Sequence, residues 1–138
     1  MMTIEERGNE VVEEFELFDD WMEKYEHIIE LGKDLPLIEE QYKTEENLIK
    51  GCQSKVWAWA EYQDGKINFT GDSEAIITKG IIALLIRVLN NSSPQDIVKA
   101  DFEFIHQIGL QDHLSPTRAN GLVGMIKRLK ELALQNCE

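Results

Sequence analysis

From Glu74 to Asn90 the chain is apolar on nearly every side, with Ile76, Ile77, Ile81, Ile82, Leu84, Leu85, Ile86, Val88 and Leu89 in one stretch. A helix of that kind has no polar face to give to water and must be enclosed by the rest of the molecule. Its longest unbroken apolar run, Ile81 to Ile86, is far too short to span a membrane, which takes about 20 residues. The fold is therefore a set of elements wrapped around this helix. At 138 residues and 43% hydrophobic, the chain has the size and the apolar content for a single domain, residues 1–138, with one packed core.

The enclosing elements are legible on both sides. Thr3 followed by Glu6 is a capping box, and it opens a helix with Val11, Val12, Phe15 and Phe18 as apolar positions. Asp19-Asp20 is a second N-cap, followed at helical spacing by Trp21, Tyr25, Ile28, Ile29 and Leu31, with Gly32 as the stop. Lys33 to Glu46 has no period and reads as a long ordered loop pinned by Leu35, Leu37, Ile38 and Tyr42. Asn47 to Lys50 fits a short strand. Lys55 to Gln63 alternates, with Val56, Ala58, Ala60 and Tyr62 on one face and Trp57 and Trp59 on the other. Asp64-Gly65 is a hairpin turn, and Lys66 to Thr70 returns with Ile67 and Phe69 inward. Gly71-Asp72-Ser73 ends the sheet, with Asp72 as N-cap of the apolar helix. Short helices follow at Ser93-Pro94 and at Phe102 to Ile108. A last helix starts at Ser115-Pro116 and carries Leu122, Met125, Ile126, Leu129, Leu132 and Ala133 as its stripe. The class is α+β: a small antiparallel sheet packed against several helices, which are expected to cover both of its faces and bury Trp57.

Composition narrows the function. Lys plus Arg is 14 against 26 Asp plus Glu, a net charge of −12, and no basic patch of the kind that neutralises a nucleic-acid backbone is present. An acidic chain suits a protein partner with a basic groove. The glutamates of the first helix read as a solvated face. There is no signal-peptide pattern in the first residues. Two cysteines do not make a disulfide framework, although a Cys52–Cys137 bridge stays open, so a soluble, cytoplasmic protein with reduced thiols is the expectation.

Cys52 is the residue with chemistry. It lies in Gly51-Cys52-Gln53-Ser54-Lys55, polar company that fits a loop at the mouth of the sheet better than a strand interior. Gly51 lets the backbone turn. Lys50 and Lys55 add positive charge, which favours the attacking thiolate. A cysteine hydrolase or transferase would need a base, and of His27, His106 and His113 the loop residue His113 is the candidate. No zinc or other metal spacing occurs, and one well-placed thiol is too few for a cluster scaffold. Arg118 stands at a helix start, where a cation is unfavourable unless an acidic group or an anion faces it. Gly121 and Gly124 weaken the same helix and point to close packing against another element.

The block Gly51-Cys52-Gln53-Ser54-Lys55-Val56-Trp57 resembles the SufE family of sulfur acceptors. The likeness continues through Gly71-Asp72-Ser73 with Ile77, Lys79-Gly80 and Ile82-Ala83, then Ser93-Pro94-Gln95-Asp96-Ile97. It ends in His113-Leu114-Ser115-Pro116-Thr117-Arg118 with Gly121-Leu122 and Met125-Ile126. The blocks keep the family's order and cover most of the chain. Cys137 lies outside the pattern, Ala119-Asn120 falls in a variable pair, and the first helix is more acidic than the pattern requires.

The resemblance implies an α+β fold similar to iron–sulfur cluster scaffold proteins, and a covalent sulfur carrier that is not an enzyme by itself. It implies as partner a cysteine desulfurase, SufS-like or a paralogue, which uses pyridoxal phosphate. This chain would need no cofactor or metal of its own. Cys52 corresponds to the acceptor that takes persulfide sulfur, stimulates the desulfurase and delivers to a scaffold complex where clusters are built. Gly51, Gln53, Ser54 and Lys55 would form the acceptor loop, with Gln53 to Lys55 meeting the partner. Asp72 and Arg118 would help to set its rest position. A homodimer, and the identity of the desulfurase, stay open.

Overall fold

The computed structural model describes residues 2–136. The class is α+β as expected, with six helices and a two-stranded antiparallel sheet among the described residues. Helices α1 (Ile4–Glu16) and α2 (Trp21–Lys33) come first, then strands β1 (Val56–Gln63) and β2 (Lys66–Ser73), then α3 (Ile76–Leu89), α4 (Pro94–Lys99), α5 (Glu103–Ile108) and α6 (Pro116–Leu134).

Helix α3 is the enclosed one. Ile81, Ile82, Leu84, Leu85, Ile86, Val88 and Leu89 are all buried, and α1, α2, α6 and β2 pack around it. The approach of α2 is close enough to need glycine on both helices. A methyl at Gly32 would lie 3.0 Å from the Gly80 backbone nitrogen, and one at Gly80 would fall on the Ile28 carbonyl oxygen. Gly32 therefore does not stop its helix, as its sequence position suggested; it lies inside the last turn and lets α2 close on α3. The other end of α3 is held by Arg7 of α1, whose Nη1 donates to the carbonyls of Val88 (2.6 Å) and Asn90 (2.7 Å). A cation there satisfies carbonyls that a helix C-terminus leaves without intrahelical partners.

The N-caps follow the sequence at most helices. The Thr3–Glu6 capping box is complete, at 3.1 and 3.0 Å. Asp20 accepts from the Glu23 amide at 2.9 Å, and Ser93 and Ser115 cap the helices that begin with Pro. Asp72 does not cap α3. Strand β2 runs on to Ser73, three residues beyond the expected end, and Asp72 pairs there with Trp57. The strand persists because Gly71 is hydrogen-bonded on its outer edge as well, its amide to the Pro36 carbonyl (2.9 Å) and its carbonyl to the Ile38 amide (3.1 Å). The corner into α3 falls instead to Ser73, whose hydroxyl accepts from the Ala75 amide and donates to the Lys55 carbonyl at 3.0 Å.

The hairpin turns through Asp64 and Gly65, both with positive φ, in the manner of a two-residue primed turn. Val56, Ala58, Ile67 and Phe69 bury one face against the core. The Trp57/Trp59 face is covered by the segment between α2 and β1, which holds two 3-10 turns and no α-helix. This segment is hydrogen-bonded to the edge of β2 at Leu37 and to the edge of β1 at Leu48, so it crosses the sheet. On the way Tyr42 stacks on Trp59 with 4.0 Å between ring centroids, and Lys43 lies 5.4 Å from the Trp57 ring. Leu35 and Ile38 anchor it in the core, whereas Leu37 is exposed and contributes backbone pairing alone. Asn47 begins no strand: it ends a 3-10 turn and donates from its side chain to the Tyr42 carbonyl at 2.7 Å.

Gly80→Ala tests the α2–α3 contact. Alanine normally stabilises a helix relative to glycine by about 1 kcal/mol. Here its methyl meets backbone that cannot yield cheaply, so denaturant unfolding is expected to show a loss of about 2 kcal/mol.

Candidate functional site

The acceptor-loop candidate, residues 50–55, is a short excursion pinned at both ends. The Ile49 amide donates to the Val56 carbonyl at 2.8 Å and closes its base. The Lys55 carbonyl accepts from the Ser73 hydroxyl at 3.0 Å and from the Glu74 amide at 3.1 Å. Gly51 has φ +92, a left-handed conformation that side-chain-bearing residues rarely adopt. It turns the chain so that Cys52 folds back over α6, where its thiol donates a weak hydrogen bond to the Gly121 carbonyl at 3.6 Å.

Beneath the half-buried thiol lies a pocket of about 90 Å³, lined by Cys52, Gln53 and Ser54 of the loop, Ala75, Thr78 and Ile81 around α3, and Thr117, Arg118, Gly121 and Met125 of α6. Four of the sequence candidates, Cys52, Gln53, Ser54 and Arg118, thus share one pocket. Arg118 is exposed at its mouth and its guanidinium has no hydrogen bond or ion pair among the described residues. Lys55 is exposed at the end of the loop and enters the site through its carbonyl.

Charge does not act on Cys52 as the sequence suggested. Lys50 and Lys55 are both exposed, and burial pushes the thiol pKa up. The neutral form is favoured at rest.

Asp72 lies apart from this pocket. On the tryptophan face of the sheet it accepts from Lys43 at 2.7 Å, with Lys79 at 3.4 Å. Burial acts to raise its pKa. The hydrogen bonds from Lys43 and the Ser73 amide, with the charges of Lys79 and Lys43, outweigh it and hold the carboxyl below its ordinary range. Its route to the loop is indirect, through Ser73, which it bonds at the amide (2.8 Å) and which in turn holds Lys55.

None of the histidines lines the Cys52 pocket. His113 stacks on Trp21 at 4.0 Å, its Nδ1 3.0 Å from the Gly109 carbonyl. His27 sits among Phe15 and Phe18 with Nε2 3.2 Å from Glu14, and His106 is exposed on α5. Among the described residues no group of three or more His, Cys, Asp or Glu could hold a metal ion. Cys137, with the open Cys52–Cys137 pairing, lies outside the described residues. The sequence did not link Ala75, Thr78 and Ile81 to the thiol; only the fold carries them there. It flagged Gly121 and Gly124 for close packing; the element they pack against is the Cys52 loop itself.

Comparison with known proteins places the chain in a family. A family model described as SufE, an Fe-S metabolism associated domain, matches residues 9–133. An uncharacterised SufE-like protein of Rhizobium meliloti is 36% identical over 130 residues, covering 91% of this chain and 93% of its own. One from Synechocystis is 39% identical over 124 residues, covering 90% and 78%. A solution structure of a hypothetical protein from Thermus thermophilus superposes with a TM-score of 0.78 over 94% of both chains at 20% identity, a likeness of fold. No helix of the described residues is long and apolar enough to cross a membrane.

The raised pKa has a testable consequence. Cys52 in the fold titrates above its unfolded value of about 8.5. The stability it contributes is therefore fully present below that pH and is lost as pH rises through the folded value. In a Cys137→Ser background, thiolate absorbance is expected to appear at higher pH than for free cysteine, and Cys52→Ser should remove the matching alkaline loss of stability. A midpoint at or below that of free cysteine would contradict the buried neutral thiol.

Proposed function

The chain belongs to the SufE family, and from that premise we propose that Cys52 is the acceptor that takes persulfide sulfur from a cysteine desulfurase. The deprotonated Cys52 sulfur attacks the outer sulfur of the partner's cysteine persulfide. The partner's S–S bond breaks, its own sulfur leaves as thiolate and takes up a proton, and Cys52 is left as the persulfide. No oxidant is consumed, because one S–S bond forms as another breaks. The carrier then passes the sulfur to a scaffold complex for iron–sulfur cluster assembly. Pyridoxal phosphate belongs to the partner, the carrier is not an enzyme by itself, and it raises desulfurase turnover by clearing the partner's persulfide. The setting is the cytoplasm, where thiols stay reduced.

The observation that carries this reading is the half-buried loop cysteine over a small pocket with no histidine beside it. Transpersulfuration needs a thiol and access, not a triad. A pocket of about 90 Å³ has room for one more atom of sulfur's size, since a water occupies about 30 Å³. A thiol kept neutral by burial is also slow to react with anything but a partner that draws it out. The hydrolase reading needs His113 at Cys52, and His113 is engaged with Trp21 and Gly109. Gln53, Ser54 and Lys55 form the face offered to the desulfurase. Arg118, a cation without an internal partner at the pocket mouth, stabilises the anionic sulfur or meets an acidic group of the partner.

Intact mass after incubation with an active cysteine desulfurase and L-cysteine is the direct test. The expected result is a gain of one sulfur atom that reductant reverses and Cys52→Ser abolishes. A protein that gains none from a cognate, active desulfurase is not a carrier. Arg118→Ala is expected to slow sulfur transfer about tenfold, the effect of losing one charged hydrogen bond. An unchanged rate and unchanged partner affinity would remove Arg118 from the site.

A further inference from the structure

The loop that bears Cys52 meets α6 at two glycines. Gly121 and Gly124 are three residues apart and so lie on one face of the helix. A methyl at Gly124 would fall on the Lys50 carbonyl oxygen, and one at Gly121 would lie 3.3 Å from the Cys52 sulfur. From the other side, a methyl at Gly51 would come within 3.7 Å of the Asn120 carbonyl. Both helix glycines sit well inside α6, where glycine weakens a helix relative to alanine.

The loop rests there as a partition between two spaces. On the Cys52 side is the pocket of about 90 Å³, which Gly121 lines. On the Lys50 side is an open groove of about 760 Å³, lined by Leu48, Lys50, Gly51, Gly124 and Lys127 among others. The base of the loop is fixed by the Ile49–Val56 and Ser73–Lys55 hydrogen bonds. The tip has room to move on either side and a positive-φ glycine at which to turn.

We infer that the Gly121–Gly124 face of α6 is the seat of the acceptor loop, and that the absence of side chains there holds Cys52 in its shielded position and sets access to the thiol. Gly121 and Gly124 are positioning residues: they act on the sulfur through the loop. The inference deepens the sulfur-carrier reading and takes its functional meaning from it, but the seat itself is testable without a desulfurase. One added methyl at Gly124 has no space while the loop is down. The loop must lift, and Cys52 then loses both its burial and the Gly121 carbonyl.

The experiment is the rate at which a small aromatic disulfide modifies Cys52 under native conditions, in the full chain with Cys137→Ser so that one thiol reports. Gly124→Ala is expected to raise that rate about tenfold or more, as a largely neutral, shielded thiol becomes accessible. Its Tm is expected not to show the rise of roughly 3–5 °C that an unhindered helical Gly→Ala change gives in a domain of this size. Val123→Gly, at an exposed α6 position, controls for helix weakening: it should lower Tm and leave the rate unchanged. An unchanged rate in Gly124→Ala overturns the seat, whether or not its Tm rises. A rate that rises equally in Val123→Gly does so too. Should Gly124→Ala fail to fold, Gly121→Ala, whose methyl meets the Cys52 sulfur first and backbone only at ordinary contact distance, carries the same comparison. The two readings fail separately. An unchanged rate removes the seat and leaves the carrier standing, whereas a raised rate in a chain that never gains sulfur by mass removes the carrier and leaves the seat.

Discussion

The burial of α3 is the constraint on which everything else rests. Apart from the exposed Ile76 and the part-exposed Lys79 and Arg87, its side chains leave little open to water, so two helices from before the sheet, one strand and the last helix close around it. Closure of that kind is limited by how near backbones can come. Gly32 and Gly80 set the distance between α2 and α3, and Gly71 leaves room for the Trp57 carbonyl of β1 while its own backbone pairs on both edges. With those approaches fixed, the start of α3 and the first turns of α6 converge on one corner of the molecule. That corner is where the Cys52 loop is held.

The site is built by the same device turned to another purpose. Removing side chains from α6 brings a loop, in place of a second helix, into contact with it. The result is a thiol shielded on one side by helix backbone, facing a small pocket, with its neutral form favoured by burial. The loop's ends are tied to the sheet corner by Ser73 and by the pairing of Ile49 with Val56. Only residues 50–55 lie between these ties, so lifting the loop would move a few residues and leave the core packed.

The tryptophan face couples the rest of the chain to this corner. Lys43, stacked near Trp57, and Lys79 of α3 share Asp72, and Asp72 bonds the amide of Ser73. The crossing segment, the sheet and α3 thus meet in one ionic cluster, one residue from the anchor of the loop. Asp72 belongs to the site as a support of its frame and not as a wall of its pocket.

Much of this was legible in the residues. The enclosed helix, the hairpin with its Asp64-Gly65 turn, the capping box and the Ser-Pro helix starts are local patterns whose physics lies within a few residues. The order of blocks around Cys52, Asp72, Ser93-Pro94 and Arg118 identified the family. What the residues did not disclose depends on distant partners. Asp72 looked like an N-cap because the extra pairing that prolongs β2 comes from Pro36 and Ile38. Lys50 and Lys55 looked like activators of the thiol because burial by α6, some seventy residues away, is invisible along the chain. Gly32 looked like a stop because α3 was not yet beside it. The sequence by itself determined most of the elements, the family and the candidate thiol, since these follow from periodicity, turn chemistry and motif. Tertiary structure alone decided the burial that pushes the Cys52 pKa up, the pocket beneath it and the element that Gly121 and Gly124 pack against, since burial and close approach arise between segments that meet only in the fold.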